Sequence, residues 1–221
     1  MTQTLCQIVV LISGYGSNLQ ALIDASSNAN FKIAGVISNN PDAFGLQRAT
    51  RAGIPTLVVD HRDFQHRKEF DLTLQKLIDE INPQLIALAG FMRIFGADFV
   101  RHFSGRMINI HPSLLPKHRG TRTHERVLKA GEKEHGASAH FVTEDLDGGP
   151  IIAQVRLNVD PNDTADTLQT RVLEIEHRLY PTVVSCFASG RLQMRGGKAQ
   201  LDGKDLPETG TNALGSEQIP R

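Results

Sequence analysis

The chain has 221 residues, within the range where one α/β domain closes a single core, and its 24 Lys plus Arg are matched by 24 Asp plus Glu. That balance leaves no net field to draw it to nucleic acid or an anionic membrane. The opening "MTQTLCQIVVLIS" has no basic n-region, and its apolar run from Ile8 to Ile12 is too short for a signal peptide or a membrane span, so a cytoplasmic protein is expected. Cys6 and Cys186 lie at opposite ends of the chain and read as two unpaired core thiols.

The first predicted strand, "QIVVLIS", runs into "SGYGSNLQALIDA", a glycine turn followed by a helix. Ser17 and Gln20 have the S-x-x-Q spacing of a capping box, and Leu19, Leu22 and Ile23 supply a short apolar stripe. Gly14 and Gly16 leave the helix start open to a ligand, and free N–H groups at a positive dipole end suit a phosphate. A tight turn with no ligand is the other reading of these residues. A dinucleotide fingerprint fits less well, because Leu19 stands in place of its third glycine and the second strand ends in "SNN" where the ribose wants an acid.

Further strands follow in "FKIAGVIS", "PTLVVD", "QLIALAG" and "RMINIH", separated by helical patterns such as Phe70, Leu74, Leu77, Ile78 and Ile81. This βαβ alternation is that of a parallel sheet covered on both faces. After Arg122 come a helix to about Ala130, two strands in "ASAHFV" and "PIIAQVRLNV", and a long helix carrying Leu168, Val172, Ile175 and Leu179. The expected fold is α/β: a single Rossmann-like domain over 1–206, mostly parallel, with helices on both faces and a late antiparallel strand addition. "RLQMRGGKAQLDG" reads as a Gly-Gly hairpin, and 207–221 has too few apolar residues to pack, so it is expected to be a flexible tail.

The fifth strand raises the functional question. Alternation puts Asn109 and His111 on one side at its carboxyl end, where open α/β sheets bind ligands, and Pro112 and Pro116 stiffen the chain beyond. A metal site would recruit His118, His124 and a downstream carboxylate, but their spacing matches no familiar zinc pattern; both histidines read more simply as solvated loop residues. In "EDLDGGPIIAQ", Glu144, Asp145 and Asp147 precede a Gly-Gly turn without the spacing of a calcium loop, and a surface turn is the plain alternative. An Asn, a His and an Asp with no Ser or Cys nucleophile point to a reaction whose substrate brings its own nucleophile.

Taken together, "SGYGSNLQ", "LAGFMRI", "INIHPSLLP" and "HFVTEDLDGGPIIAQ" resemble the folate-dependent formyltransferases over about residues 7 to 205, and "GSNLQA" is similar to the branch acting on glycinamide ribonucleotide. The resemblance implies an enzyme of purine biosynthesis that moves the formyl group of 10-formyltetrahydrofolate to the amine of glycinamide ribonucleotide, with no metal. It implies Asn109, His111 and Asp147 as catalytic residues. Gly16, Ser17 and Asn18 would hold the phosphate end, and Glu176 would meet the ribose hydroxyls. Arg67, Met92, Arg93, Ile94, Phe95 and Asn109, with Thr143, Glu144 and Asp145 on the loop to Asp147, would line the folate site. Asn109 and a protonated His111 would donate to the oxyanion, with Asp147 favouring the imidazolium and helping a water carry the proton. Arg122 replaces a histidine common in the family, and no role is assigned to it. Related enzymes that hydrolyse the formyl-folate or formylate transfer RNA, and a nucleotide-binding regulatory module, are the competing readings. Small-molecule substrates are the expected partners, in a monomer or weak homodimer.

Overall fold

Five consecutive apolar residues, Ile8 to Ile12, have no polar face to offer water, and all five are fully buried. Each such Leu, Ile or Val contributes roughly 1.5–3 kcal/mol relative to exposure. The computed structural model, which describes residues 5–211, places this run in β1 (Cys6–Ile12). β1 pairs in parallel with β2 (Phe31–Ser38) and with β4 (Leu85–Leu88), and β3 (Thr56–Val58) continues in parallel from β2. With β5 (Met107–His111), β6 (Glu134–Phe141) and β7 (Ile151–Asn158), the seven-stranded sheet has the order β3-β2-β1-β4-β5-β6-β7. β6 and β7 are antiparallel, the late addition expected from the sequence. The chain divides into two units between Ile108 and Asn109, inside β5.

In the first unit the helices are α1 (Ser17–Ser26), α2 (Phe44–Arg51), α3 (Arg67–Ile81) and α4 (Ala97–His102). Phe70, Leu74 and Ile78 of α3 are buried as its period requires, while Leu77 and Ile81 are only half-buried at the edge of the stripe. The expected capping box at α1 does not form. Gly16 occupies the N-cap in the left-handed region at φ 73°, with no side-chain cap bond, and the Gln20 side chain instead donates to Asp24 and accepts from Arg48.

In the second unit α5 (Thr123–Lys129) precedes β6, and α6 (Ala165–Ala188) packs on β6 and β7 through a face that includes Leu168, Val172 and Leu179. A capping box does form here, between Thr164 and Thr167. β8 (Leu192–Arg195) and β9 (Lys198–Leu201) pair as an antiparallel hairpin, extended by β10 (Lys204–Asp205). Its two turn residues, Gly196 and Gly197, have φ of 58° and 74°, as a two-residue primed turn demands.

Beyond the hairpin, the Thr211 N–H donates to the Ile152 carbonyl at 2.9 Å and its carbonyl accepts from Gln154 N–H at 3.1 Å, so the chain lies along β7 as far as Thr211. The rest of the stretch expected to be loose, 212–221, lies outside the described residues. Among the described residues no helix is long and apolar enough to cross a membrane.

Candidate active site

In the second unit, β5 and β6 each carry polar side chains two residues apart: Asn109 and His111 on one, Ser138 and His140 on the other. The β6–β7 register shifts between Ala139 and His140, where β7 carries one extra residue, Ile152, between the partners Ala153 and Ile151. His140 Nδ1 lies 2.9 Å from the Phe141 carbonyl, which assigns the proton to that nitrogen. Its Nε2 is therefore an acceptor, and the Asn109 Nδ2 amide sits 3.1 Å away as the donor. One amide hydrogen of Asn109 is thus spent on orientation. The other has no acceptor among the described residues, and Asn109 is half-buried where His111 and His140 are buried.

Asp147 closes the group. Its Oδ2 is 3.5 Å from His111 Nδ1 and its Oδ1 is 3.7 Å from His140 Nε2. The Gly120 N–H donates to Oδ2 at 2.8 Å, and His111 Nε2 lies 3.1 Å from the His118 carbonyl. The intervening loop makes this possible through left-handed turns at His118, Gly120 and Arg122, with φ of 56°, 80° and 57°. Asp147 itself has φ 47°, leading into the Gly148-Gly149 turn. At Gly149 a Cβ would stand 1.9 Å from the Phe141 carbonyl oxygen, so no other residue fits there.

The charge on His111 differs from expectation. Burial, the largest influence, holds its pKa below the ordinary histidine value, against Asp147 and the His118 carbonyl, which both favour the charged ring. The resting imidazole is neutral at neutral pH, not the imidazolium expected from an Asp neighbour alone. His140 is held at about 4, again chiefly by burial.

His118 and His124 are not solvated loop residues. His124 Nδ1 is 3.0 Å from His135 Nε2, and His118 Nε2 is 3.6 Å from Glu132. The loop between β5 and α5 is tied down further by Ser138, whose hydroxyl donates to the Ser113 carbonyl and accepts from Leu115 N–H and Gln154 Nε2. Ser113 in turn donates to the Lys117 carbonyl. Both buried hydroxyls are thus committed to backbone, and neither is prepared as a nucleophile. His140, Ser138 and Gln154 were missed in the sequence reading, although the polar parity of "SAH" within an apolar strand signalled the first two.

In the first unit, Gly16, Ser17 and Asn18 form the start of α1, with no acidic residue in its first turn. A Cβ on Gly16 would approach Gly45 Cα to 2.7 Å, so α2 seats directly against the glycine turn. Met92 and Ile94 are exposed apolar residues, 69% and 58% accessible, whereas Phe95 stacks on Phe91 and Phe99. Arg93 lies over the Phe70 ring at 5.3 Å. Buried Asp71 accepts the Gly96 N–H at 2.7 Å; burial raises its pKa, against that bond and the charges of Arg67 and Arg93, which lower it. In the second unit, Thr143 is half-buried, Glu144 and Asp145 are exposed, and Glu176 is buried on α6. Among the described residues, no three His, Cys, Asp or Glu side chains group to hold a metal ion.

Comparison with known proteins identifies the family. The formyl transferase family pattern matches residues 6–184. The phosphoribosylglycinamide formyltransferase of Escherichia coli (strain K12) is 50% identical over 205 residues, covering 92% of this chain and 97% of that protein. The human trifunctional purine biosynthetic protein adenosine-3 is 45% identical over 190 residues, 85% of this chain but 19% of that protein. Among solved structures, the phosphoribosylglycinamide formyltransferase of Coxiella burnetii superposes with a TM-score of 0.91 at 56% identity, covering 94% of this chain and 98% of that one. The chain has their α/β, Rossmann-like fold and belongs to the formyl transferase family.

Proposed function

We propose that this enzyme transfers the formyl group of 10-formyltetrahydrofolate to the amine of glycinamide ribonucleotide, with Asn109, His111 and Asp147 as its catalytic residues. The observation that carries the reading is the Asn109 amide, fixed through one hydrogen by His140 with the other left over, in a group that also holds a buried His–Asp pair. Such a group stabilises an oxyanion and moves a proton, which is what acyl transfer to an amine requires. The relatives named phosphoribosylglycinamide formyltransferase support the choice of amine.

The amine nitrogen forms a bond to the formyl carbon, and the carbonyl oxygen becomes an oxyanion that accepts the free Asn109 N–H. The neutral His111 ring takes the proton released from the amine. Its Nδ1 is the exchanging nitrogen, because 3.5 Å to Asp147 is longer than a direct hydrogen bond while Nε2 is engaged by the His118 carbonyl. Asp147 stabilises the imidazolium as it forms, and the charged ring then hands its proton to the departing folate nitrogen as the carbon–nitrogen bond breaks. In the same reading, Gly16, Ser17 and Asn18 bind the phosphate and Glu176 the ribose. Arg67 and Met92 to Phe95, with Asn109 and Thr143 to Asp145, bind the folate.

Steady-state formyl transfer by the wild type and by Asp147→Asn tests the proposal. The amide keeps the acceptor for Gly120 but loses the charge, so kcat should fall by about two powers of ten or more, with KM for both substrates within a fewfold. A well-folded variant retaining more than about a tenth of wild-type kcat contradicts the role given to Asp147.

A further inference from the structure

The strand end "SNN", Ser38-Asn39-Asn40, takes no part in the chemistry above, yet it is buried or half-buried and fully engaged. Both asparagines reach Ser13, the residue just before the glycine turn. The Ser13 hydroxyl donates to Asn39 Oδ1 at 2.5 Å, and Asn40 Nδ2 donates to the Ser13 carbonyl at 3.4 Å. Each asparagine is itself held: the His61 Nδ1 lies 2.8 Å from the Asn39 carbonyl, and Ser38 exchanges bonds of 2.8 and 3.1 Å with the backbone of Asn40. With its one proton given to Asn39, the Ser13 oxygen keeps acceptor capacity, and it uses it on the Met92 N–H at 2.7 Å.

The other carbonyls of the glycine turn are braced by α2 and not by this cluster. Gly45 N–H donates to the Gly14 carbonyl at 3.0 Å, and Arg48 Nε donates to the Tyr15 carbonyl at 3.0 Å while its guanidinium lies 4.5 Å over the Tyr15 ring. Carbonyls held away on one side leave the N–H groups at the start of α1 to face an anion. Arg48 therefore supports only the phosphate turn. Ser13 differs, because the same oxygen also fixes the first residue of the Met92–Phe95 segment.

We infer that Ser13 is a positioning residue shared by both substrates, holding the phosphate turn and the folate-binding segment in one register through its single hydroxyl. This rests on the functional reading given above. Alanine at this position strands the Met92 N–H and the Asn39 Oδ1 together, and each lost bond of this kind weakens the segment it holds. The catalytic group in the second unit is not touched by the change.

The test titrates the full-length protein separately with glycinamide ribonucleotide and with tetrahydrofolate, then measures transfer kinetics. Ser13→Ala should weaken both ligands by about fivefold or more, the loss of roughly one hydrogen bond on each side, while kcat at saturation stays within about threefold. Arg48→Ala should weaken the ribonucleotide by a similar factor and leave tetrahydrofolate within about twofold. Ser13→Cys, nearly the same size but a poorer hydrogen-bonding group, should shift both ligands the same way by less, and it reports on the link even if the alanine variant folds poorly. Weakening of one ligand alone by Ser13→Ala, or unchanged binding of both by Ser13→Cys, overturns the inference while leaving the functional reading intact. A wild-type protein that binds neither ligand overturns both.

Discussion

His140 shows how much a residue's role depends on partners distant in the chain. Its parity with Ser138 in β6 was visible, but nothing in "ASAHFV" tells that its ring meets Asn109, 31 residues earlier on another strand. Asn109 and His111 were legible because they share a strand, where alternation alone sets their side. The charge of His111 was not legible, since it turns on burial, which sequence spacing does not measure. His140→Phe keeps the ring's bulk and removes the acceptor, leaving the Asn109 amide free to turn. Transfer kinetics should show kcat lower by about one to two powers of ten, with ribonucleotide KM within a fewfold. Unchanged kcat would mean that Asn109 is oriented by something other than this contact.

Among the elements, the glycine turn was readable as the start of a helix, whereas the means of starting that helix was not. The S-x-x-Q spacing promised side-chain capping, but Gly16 takes the cap, and Arg48, a residue of α2 that no local pattern connects to α1, claims Gln20. Gly16→Val puts a branched side chain in the left-handed region and into Gly45, which must displace the turn. Ribonucleotide KM should rise about tenfold or more while tetrahydrofolate binding stays within a fewfold; equal loss of both would count against the phosphate assignment. The end of the chain makes a second case. Its polar composition hid the backbone pairing of Thr211 with β7, because such bonds need no apolar side chain. Truncation after Pro207 should melt about 2–4 °C below truncation after Thr211, as expected for a loss near one kcal/mol in a domain of this size; equal melting of the two shorter chains would show that the pairing adds nothing.

For the whole molecule, the alternation of apolar strands and amphipathic helices carried the fold class, and the buried histidines set its response to acid. Burial holds His135 and His140 at about 4 and lowers His111 and His124, against an ordinary value of 6.5. Between these limits the unfolded chain binds protons that the folded chain refuses. Stability from this source is therefore complete above about pH 6.5 and falls as pH drops towards 4. Thermal melts across that range should show Tm decreasing with acidification, and a Tm that is flat or rises would contradict the assigned burial. The proposed chemistry is tested by formyl-group turnover from 10-formyltetrahydrofolate with and without glycinamide ribonucleotide. Tetrahydrofolate should be released only when the amine is present, with one formylated ribonucleotide formed for each donor consumed; release without the amine, or none in its presence, would rule out direct transfer to glycinamide ribonucleotide.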